Sequence, residues 1–379
     1  MLGLERAGLQ KHSSVISKSI QLYESKLTRH CNMLVGHTLS GKSTAWKALS
    51  KAFTALNKED GRADFNPCKT HLINPKAVSM NELYGAYDLT TMEWTDGVAT
   101  ALLRSSSRKK RSWLCFDGDV DPEWAENLNS ALDDNKVLTL PNGERIAVPN
   151  DVRFVFEVED LSKATPATVS RCGVCHVDRG MVSLAHRVAA SFLRVKAEDT
   201  VFADACQALF APEGVISKAV AFSLQGGVMA SPSPEQALHA LEALLLAARD
   251  DAQVHRLDLT TKRGSQFARR SVYAALFWSC GGAMDSQKRQ ELGDLLKQAA
   301  SSTNDACEGV IGLETRCAAR APDFWEAWDA RLADCQEAAL DAVVETADTS
   351  RHEALVEALC RRRSGSLLCG PPGSGKTMT

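Results

Sequence analysis

No run of about 18 apolar residues, the length a membrane-crossing helix needs, occurs in the sequence. The first residues, MLGLERAGLQKHSS, also lack the apolar stretch of a secretory signal. The chain is therefore expected in the cytosol or nucleus, with no membrane partner. Aromatics are scarce at 6%, and neither sign of charge prevails: 44 Lys and Arg face 47 Asp and Glu, a formal net charge of −3. A chain so balanced carries no electrostatic footprint for nucleic acid. A disulfide framework is excluded too, because the twelve cysteines are scattered and read as free thiols packed like small hydrophobes. What is present is ordinary globular composition, 44% hydrophobic and 24% charged over 379 residues. That suffices for two or three cores of roughly 100 to 200 residues each.

Apolar periodicity divides the chain. Val15, Ile16, Ile20, Tyr23 and Leu27 recur at helical spacing and lead into the short run Met33, Leu34, Val35, so a helix and then a buried strand are expected. After the glycine-rich stretch 36–43 comes a helix with Ala45, Trp46, Leu49, Phe53 and Leu56 facing inward. Further strands are expected at 71–74, 113–116, 152–158 and 174–177. Two inserts interrupt them. One, at 81–96, is aromatic and turn-rich; in the other, at 136–148, VLTL and RIAV flank Asn142-Gly143, the pair suited to a type I′ turn. Beyond about residue 180 the strands stop, and amphipathic helices are expected at 181–195, 215–224, 234–249, 267–278 and 287–299. Residues 300–347 read as a connector anchored by Phe324, Trp325 and Trp328. The opening pattern then returns, with a helix at 351–360, a strand at 367–369 and a second glycine-rich loop at 370–377. The sequence reads as a tandem array cut short.

Both loops obey G-x-x-x-x-G-K-[ST], as GHTLSGKS and GPPGSGKT. Glycines let backbone N–H groups turn towards phosphates, the lysine neutralises them, the hydroxyl holds Mg²⁺, and the helix start adds partial positive charge. Gly36, Gly41, Lys42, Ser43 and Thr44 are thus candidate nucleotide ligands, repeated as Gly370, Gly375, Lys376 and Thr377, with ATP and Mg²⁺ the implied cofactors. Asp117, ending the apolar run SWLCFD, is the candidate carboxylate for the Mg²⁺ water shell. In hydrolytic sites of this kind a glutamate follows that Asp and polarises the attacking water. Here Gly118 follows, and then Asp119, which points to the opposite face if the strand continues. Glu157, at the end of the fourth strand, puts a negative charge near the phosphates where a neutral polar residue is expected. The site reads as one that binds ATP without turning it over quickly. Arg171, before the fifth strand, is either a surface ion-pair partner or an arginine finger for a neighbouring nucleotide, catalytic in trans. Arg269 and Arg270 are expected to open a helix, where they either close over phosphates or lie solvated.

Two other signals carry less. Cys172-Gly-Val-Cys175-His176 has the spacing of haem attachment, but it falls on a strand, where alternation explains it. Arg108–Arg111, RKKR, reads as a solvated loop rather than a nuclear signal.

The stretches NPKAVS, LYGAYDLTTMEWTDG, FDGDVDPEWAENLNSALDDNKVLTLPNGERIAVP, FEVEDL and ATVSRCG resemble the second AAA+ module of the dynein heavy-chain ring, in wording closer to cytoplasmic than to axonemal dyneins. TADTSRHEAL and LLCGPPGSGKTMT resemble the start of the third module. The resemblance implies an α/β fold of the P-loop NTPase, AAA+ type, a parallel five-stranded sheet with helices followed by an all-α lid. It divides the chain into a lead-in helix (1–30), a large α/β subdomain (31–180), a small helical subdomain (181–299), the connector (300–347) and a truncated next module (348–379). It also implies a microtubule motor in which this module holds ATP as a structural or regulatory ligand. Arg171 would serve the first module's site, and this site's own finger would come from the third. Implied partners are neighbouring AAA+ modules, the mechanical linker touched by the two inserts, dynein intermediate, light intermediate and light chains, and microtubules, in a cytoplasmic, cytoskeletal setting. GHTLSGKS departs from the family, where a proline and a glycine-rich middle are common; His37, Thr38 and Leu39 stiffen the loop. An independently active tandem AAA+ ATPase and a vestigial, non-binding scaffold stay open as alternatives.

Overall fold

Three runs of the sequence, CNMLV, RSWLCFD and VRFVFEV, are buried along almost their whole length, the mark of strands covered on both faces. The computed structural model describes residues 2–5, 9–60, 65–106, 111–225, 233–302, 315–317, 324–327 and 347–368. The chain divides into two compact units, Met1–Val182 and Ser183–Thr379. In the first, the strands are β1 (Cys31–Val35), β2 (Cys68–Ile73), β3 (Gly85–Tyr87), β4 (Trp94–Asp96), β5 (Arg111–Asp117), β6 (Val137–Thr139), β7 (Arg145–Ala147), β8 (Val152–Val158) and β9 (Gly173–His176). Five of them form one parallel sheet in the order β2-β5-β8-β1-β9. The parallel five-stranded sheet expected from the sequence is thus present. Because β1 lies between β8 and β9, the loop leaving it opens at the point where the strand order reverses, which is where open α/β sheets bind ligands.

The two faces are packed differently. Phe116, Phe154, Phe156 and Trp124 cover one, with Phe116 stacked on Phe156 and Trp124 at centroid distances of 5.4 and 5.3 Å. Leu34, Trp113, Cys115 and Val155 face the other, against Trp46, Leu49 and Phe53 of the helix Lys42–Asp60. The inward face expected for that helix is present. The helix expected there is present as Ser13–Thr28, and it buries Val15, Leu22 and Lys26 while leaving Ile20 and Leu27 exposed. Apolar spacing marked the helix but not its buried stripe, which the packing against β9 and the Lys42–Asp60 helix selects.

Both inserts are antiparallel hairpins, β3–β4 and β6–β7. The first is entered through a short helix, Met80–Tyr84, held by a capping box between Ser79 and Glu82. The β6–β7 turn is not type I′. Gly143 has φ 85° while Asn142 keeps negative φ, and Gly143 N–H donates to Leu140 O at 2.9 Å. Pro141 explains the difference: a two-residue Asn-Gly turn would pair it with Glu144, and proline has no N–H to give that pair, so Leu140 closes on Glu144 instead and the loop takes three residues, 141–143, with glycine in the left-handed position.

The second unit is helical: Leu184–Glu198, Thr200–Cys206, Val215–Ser223, Pro234–Val254, Lys262–Gly281 and Ser286–Ser302, around a core that includes Phe202, Ile216, Leu241, Tyr273 and Leu292. Arg269 and Arg270 do not open a helix. Theirs begins at Lys262, where the Thr261 hydroxyl accepts from Gly264 N–H at 3.0 Å, so both lie mid-helix. Arg270 is buried, with its guanidinium 6.0 Å from the Phe324 ring. A short antiparallel pair, Thr315–Cys317 with Trp325–Ala327, lies within the stretch read as connector, and Phe324 packs edge-on to Phe267. The last helix among the described residues is Ala347–Arg361, and Leu367 and Leu368, expected as strand, are irregular. Trp328, Cys369 and the second phosphate loop, including Gly370, Gly375, Lys376 and Thr377, lie outside the described residues.

Candidate nucleotide site

The loop 36–41 joins β1 to the Lys42–Asp60 helix, and its backbone explains its glycines. A Cβ on Gly36 would lie 2.1 Å from Val177 O, and Gly41 has φ 101°. Leu39 is also left-handed, at φ 65°, without the freedom of glycine. In the second loop the same place in the motif holds Gly373. Ser40 is 4% exposed, and its hydroxyl meets no partner. A buried orphan hydroxyl beneath a loop of this shape suits an anion acceptor above it.

Lys42 turns its ammonium inward, donating to Gly36 O and to His37 O, the latter at 2.9 Å. Burial lowers its pKa, and Glu157, Glu159 and Asp117 oppose that shift. The lysine therefore stands between three carboxylates and the loop carbonyls, free to exchange the carbonyls for phosphate oxygens.

Ser43 and Trp46 lie one helical turn apart, so they share a face. Both use it on the same group: Ser43 Oγ donates to Glu157 Oε2 at 2.6 Å, and Trp46 Nε1 donates to Glu157 Oε1. Glu157 is 4% exposed and lies within β8, its Cα in register with Asp117 on β5 and Leu34 on β1. At the strand's end stands Glu159, whose carboxylate is 3.2 Å from His37 Nδ1. Thr44 is half-buried in the first turn of the helix. Asp117 is exposed at the end of β5. Its carboxylate and the Ser43 hydroxyl are hard oxygen donors, the chemistry Mg²⁺ takes.

After Asp117 the backbone changes course. Gly118 has φ 153°, and its N–H donates to Glu157 O at 3.1 Å. Asp119 then turns away to two lysines, Lys163 at 2.8 Å and Lys76 at 3.0 Å, which together hold its pKa below the ordinary carboxylate value. A carboxylate so paired is a poor proton acceptor.

Arg171 ends the helix Pro166–Arg171. Its guanidinium donates to Ala167 O at 2.7 Å and lies 3.6 Å from Asp133. Cys172 and Cys175 pack into the cores on opposite faces of the sheet, which removes them as a shared ligand pair. Arg269 belongs to the second unit and is half-buried in its helix. Sequence reasoning brought Gly36, Gly41, Lys42, Ser43, Asp117 and Glu157 to one end of the sheet. It missed Trp46 and Glu159, although the three-residue step from Ser43 to Trp46 was a readable signal for the former.

A strand–loop–helix with the G-x-x-x-x-G-K-S motif at the reversal point of this sheet defines a P-loop nucleotide-binding domain. Residues 32–172 match the family model described as AAA domain (dynein-related subfamily), and residues 3–43 match that described as the hydrolytic ATP binding site of dynein motor region. The chain belongs to the dynein heavy-chain family. It is 34% identical over 418 residues to the cytoplasmic dynein heavy chain of Caenorhabditis elegans, covering 96% of this chain and 9% of that one. Against the cytoplasmic heavy chain of Drosophila melanogaster the identity is 33%, over 98% of this chain and 9% of the relative; against human dynein axonemal heavy chain 2 it is 35%, over 98% and 8%. The chain thus spans about a tenth of the length of the curated relatives it matches.

Proposed function

We propose that the chain is the second AAA+ module of a cytoplasmic dynein motor together with the start of the third, and that it holds Mg-ATP with little or no hydrolysis. One observation carries this reading: behind Asp117, where a hydrolytic site keeps a free acid, there is a glycine and then an aspartate held by two lysines. Lys42 would exchange loop carbonyls for phosphate oxygens, the Ser43 hydroxyl would hold Mg²⁺ with Asp117 on its water shell, and the ion would neutralise phosphate charge. Arg171, at a helix end, is the finger for the preceding module's nucleotide, and the third module supplies the finger for this one. Within the whole motor the partners are the neighbouring modules, the linker, the associated intermediate, light intermediate and light chains, and microtubules, in the cytoplasm.

The test is calorimetric titration of the chain with Mg-ATP alongside a turnover assay. Wild type is expected to bind, Lys42→Ala to lose at least about tenfold in affinity, or 1.4 kcal/mol, and Arg171→Ala to bind like wild type. Turnover near 10 s⁻¹, about the median for enzymes, would refute the slow-site reading in favour of an independently active ATPase. No binding at millimolar Mg-ATP would leave a vestigial scaffold.

A further inference from the structure

We propose that Glu157 is a positioning residue for the metal of the bound nucleotide, orienting the Ser43 hydroxyl and making the site select the Mg²⁺ complex over metal-free nucleotide. The inference rests on the nucleotide-binding reading above and assigns to a residue inside β8 a part in holding the metal, which sequence reasoning gave to Ser43 and Asp117.

A serine hydroxyl has one proton to give and two lone pairs to offer. Ser43 gives its proton to Glu157 Oε2 at 2.6 Å. That fixes the hydroxyl rotor and leaves its lone pairs for a cation, so the contact with Glu157 favours metal ligation. The acceptor is itself held, because Trp46 Nε1 donates to its second oxygen and the side chain is 4% exposed. Both of its oxygens are thus engaged by neutral donors. Glu157 therefore differs from Asp119, whose charge two lysines offset.

The consequence is electrostatic. Glu157 and Asp117 stand in register on adjacent strands, Glu159 follows at the rim, and Lys42 is the cation set among them. A metal-free triphosphate entering this loop meets more negative charge than Lys42 cancels. A divalent cation between phosphates and carboxylates turns the same charges into attraction. The negative charge at Glu157, unhelpful to phosphate alone, is thus the feature that makes metal obligatory.

The experiment compares ATP affinity of the full chain in excess MgCl₂ with that in EDTA, by calorimetry, for wild type, Glu157→Gln and Trp46→Phe. Wild type is expected to favour the Mg²⁺ condition by about 100-fold or more. Glu157→Gln, isosteric but neutral, is expected to bind metal-free ATP more tightly and to shrink that ratio at least about tenfold, 1.4 kcal/mol. Trp46→Phe keeps the carboxylate and its contact with Ser43 but frees its second oxygen, and is expected to shrink the ratio by less than Glu157→Gln does. A ratio unchanged in Glu157→Gln overturns the proposal, and so does an equal collapse in Trp46→Phe, which would mark the pair as a structural cross-link. ATP that binds neither with nor without Mg²⁺ overturns the nucleotide reading itself, a result distinct from either. The indole N–H resonance of Trp46 adds an independent readout: it is expected to move upfield in Glu157→Gln before any nucleotide is added, and an unmoved resonance counts against the contact.

Discussion

Replacing Lys26 by methionine is expected to stabilise the first unit by an amount that shrinks as pH rises. Lys26 is 7% exposed, its ammonium meets no hydrogen-bond partner, and it lies 4.0 Å from the centroid of the Trp113 ring. Burial brings its pKa from 10.5 down to about 7, with Cys115 and Cys68 opposing the shift and Arg153 and Arg111 adding to it. Burial pushes both thiols up to about 12, so they stay neutral through most of the range that matters. The folded pKa lies below the unfolded one, so between about 7 and 10.5 the unfolded chain binds more protons than the native one. Stability owed to this residue therefore rises with pH across that window, and below it the penalty is complete. At about 1.36 kcal/mol per pKa unit the whole penalty is about 5 kcal/mol. The cation–π contact returns about 2 kcal/mol when desolvated, leaving about 3 kcal/mol for methionine to recover near neutral pH. Urea unfolding of both proteins at several pH values measures the gap directly. It is expected to be largest below pH about 7 and to narrow by roughly 1 kcal/mol per unit above it. A gap independent of pH, or a methionine variant less stable than wild type in acid, would refute the reasoning.

Two further outcomes follow from the loop and the strand beside it. Leu39→Gly is expected to leave stability equal or raise it by up to about 1 kcal/mol, since relief of the left-handed backbone outweighs the entropy of glycine, whereas Leu39→Val is expected to cost about 1 to 2 kcal/mol; thermal unfolding checks both, and a more stable valine variant would contradict the assigned backbone. Gly118→Glu, which restores the missing acid by type, is expected to lower stability by about 1 to 3 kcal/mol because φ 153° suits glycine. An unchanged melting temperature would show that the backbone there is not restrictive.

What could be read in advance was what depends on neighbours in sequence. The phosphate loop is a local device of strand, glycines, lysine and helix, and each part announces itself within fifteen residues. The sheet strands were visible because burial on both faces forces continuous apolar runs. What escaped depends on residues far apart. Nothing near Lys26 says that Trp113, more than eighty positions on, will cover it. The face of its helix is chosen by that packing, and Leu27, the better hydrophobe, is left 69% exposed. The β6–β7 turn failed for the opposite reason: Asn142-Gly143 was read alone, and the proline beside it vetoed the turn type. Arg269 and Arg270 were misplaced because the helix start was sought at the first apolar residue, Phe267, while the capping hydroxyl stood six positions earlier at Thr261.

Glu157 is where the reading along the strand and the reading across the sheet diverge most. Read along β8, it is a charge near the phosphates where a neutral group is expected. Read across the sheet, it is the acceptor for two donors one helical turn apart, in register with Asp117. The two readings differ over where the acids of the site are spent. Glu157 and Asp117 lie on the side from which Ser43 approaches, where negative charge assists a metal. Asp119 lies beyond the glycine, and Lys76 and Lys163 take up its charge. Proton abstraction from water needs a free carboxylate on that second side, and metal-assisted binding needs charge on the first. Acids distributed in this way favour retention of a metal nucleotide over its cleavage, so substitutions on the two sides should separate: those at Glu157 should change what binds, and those at Asp119 should leave binding intact.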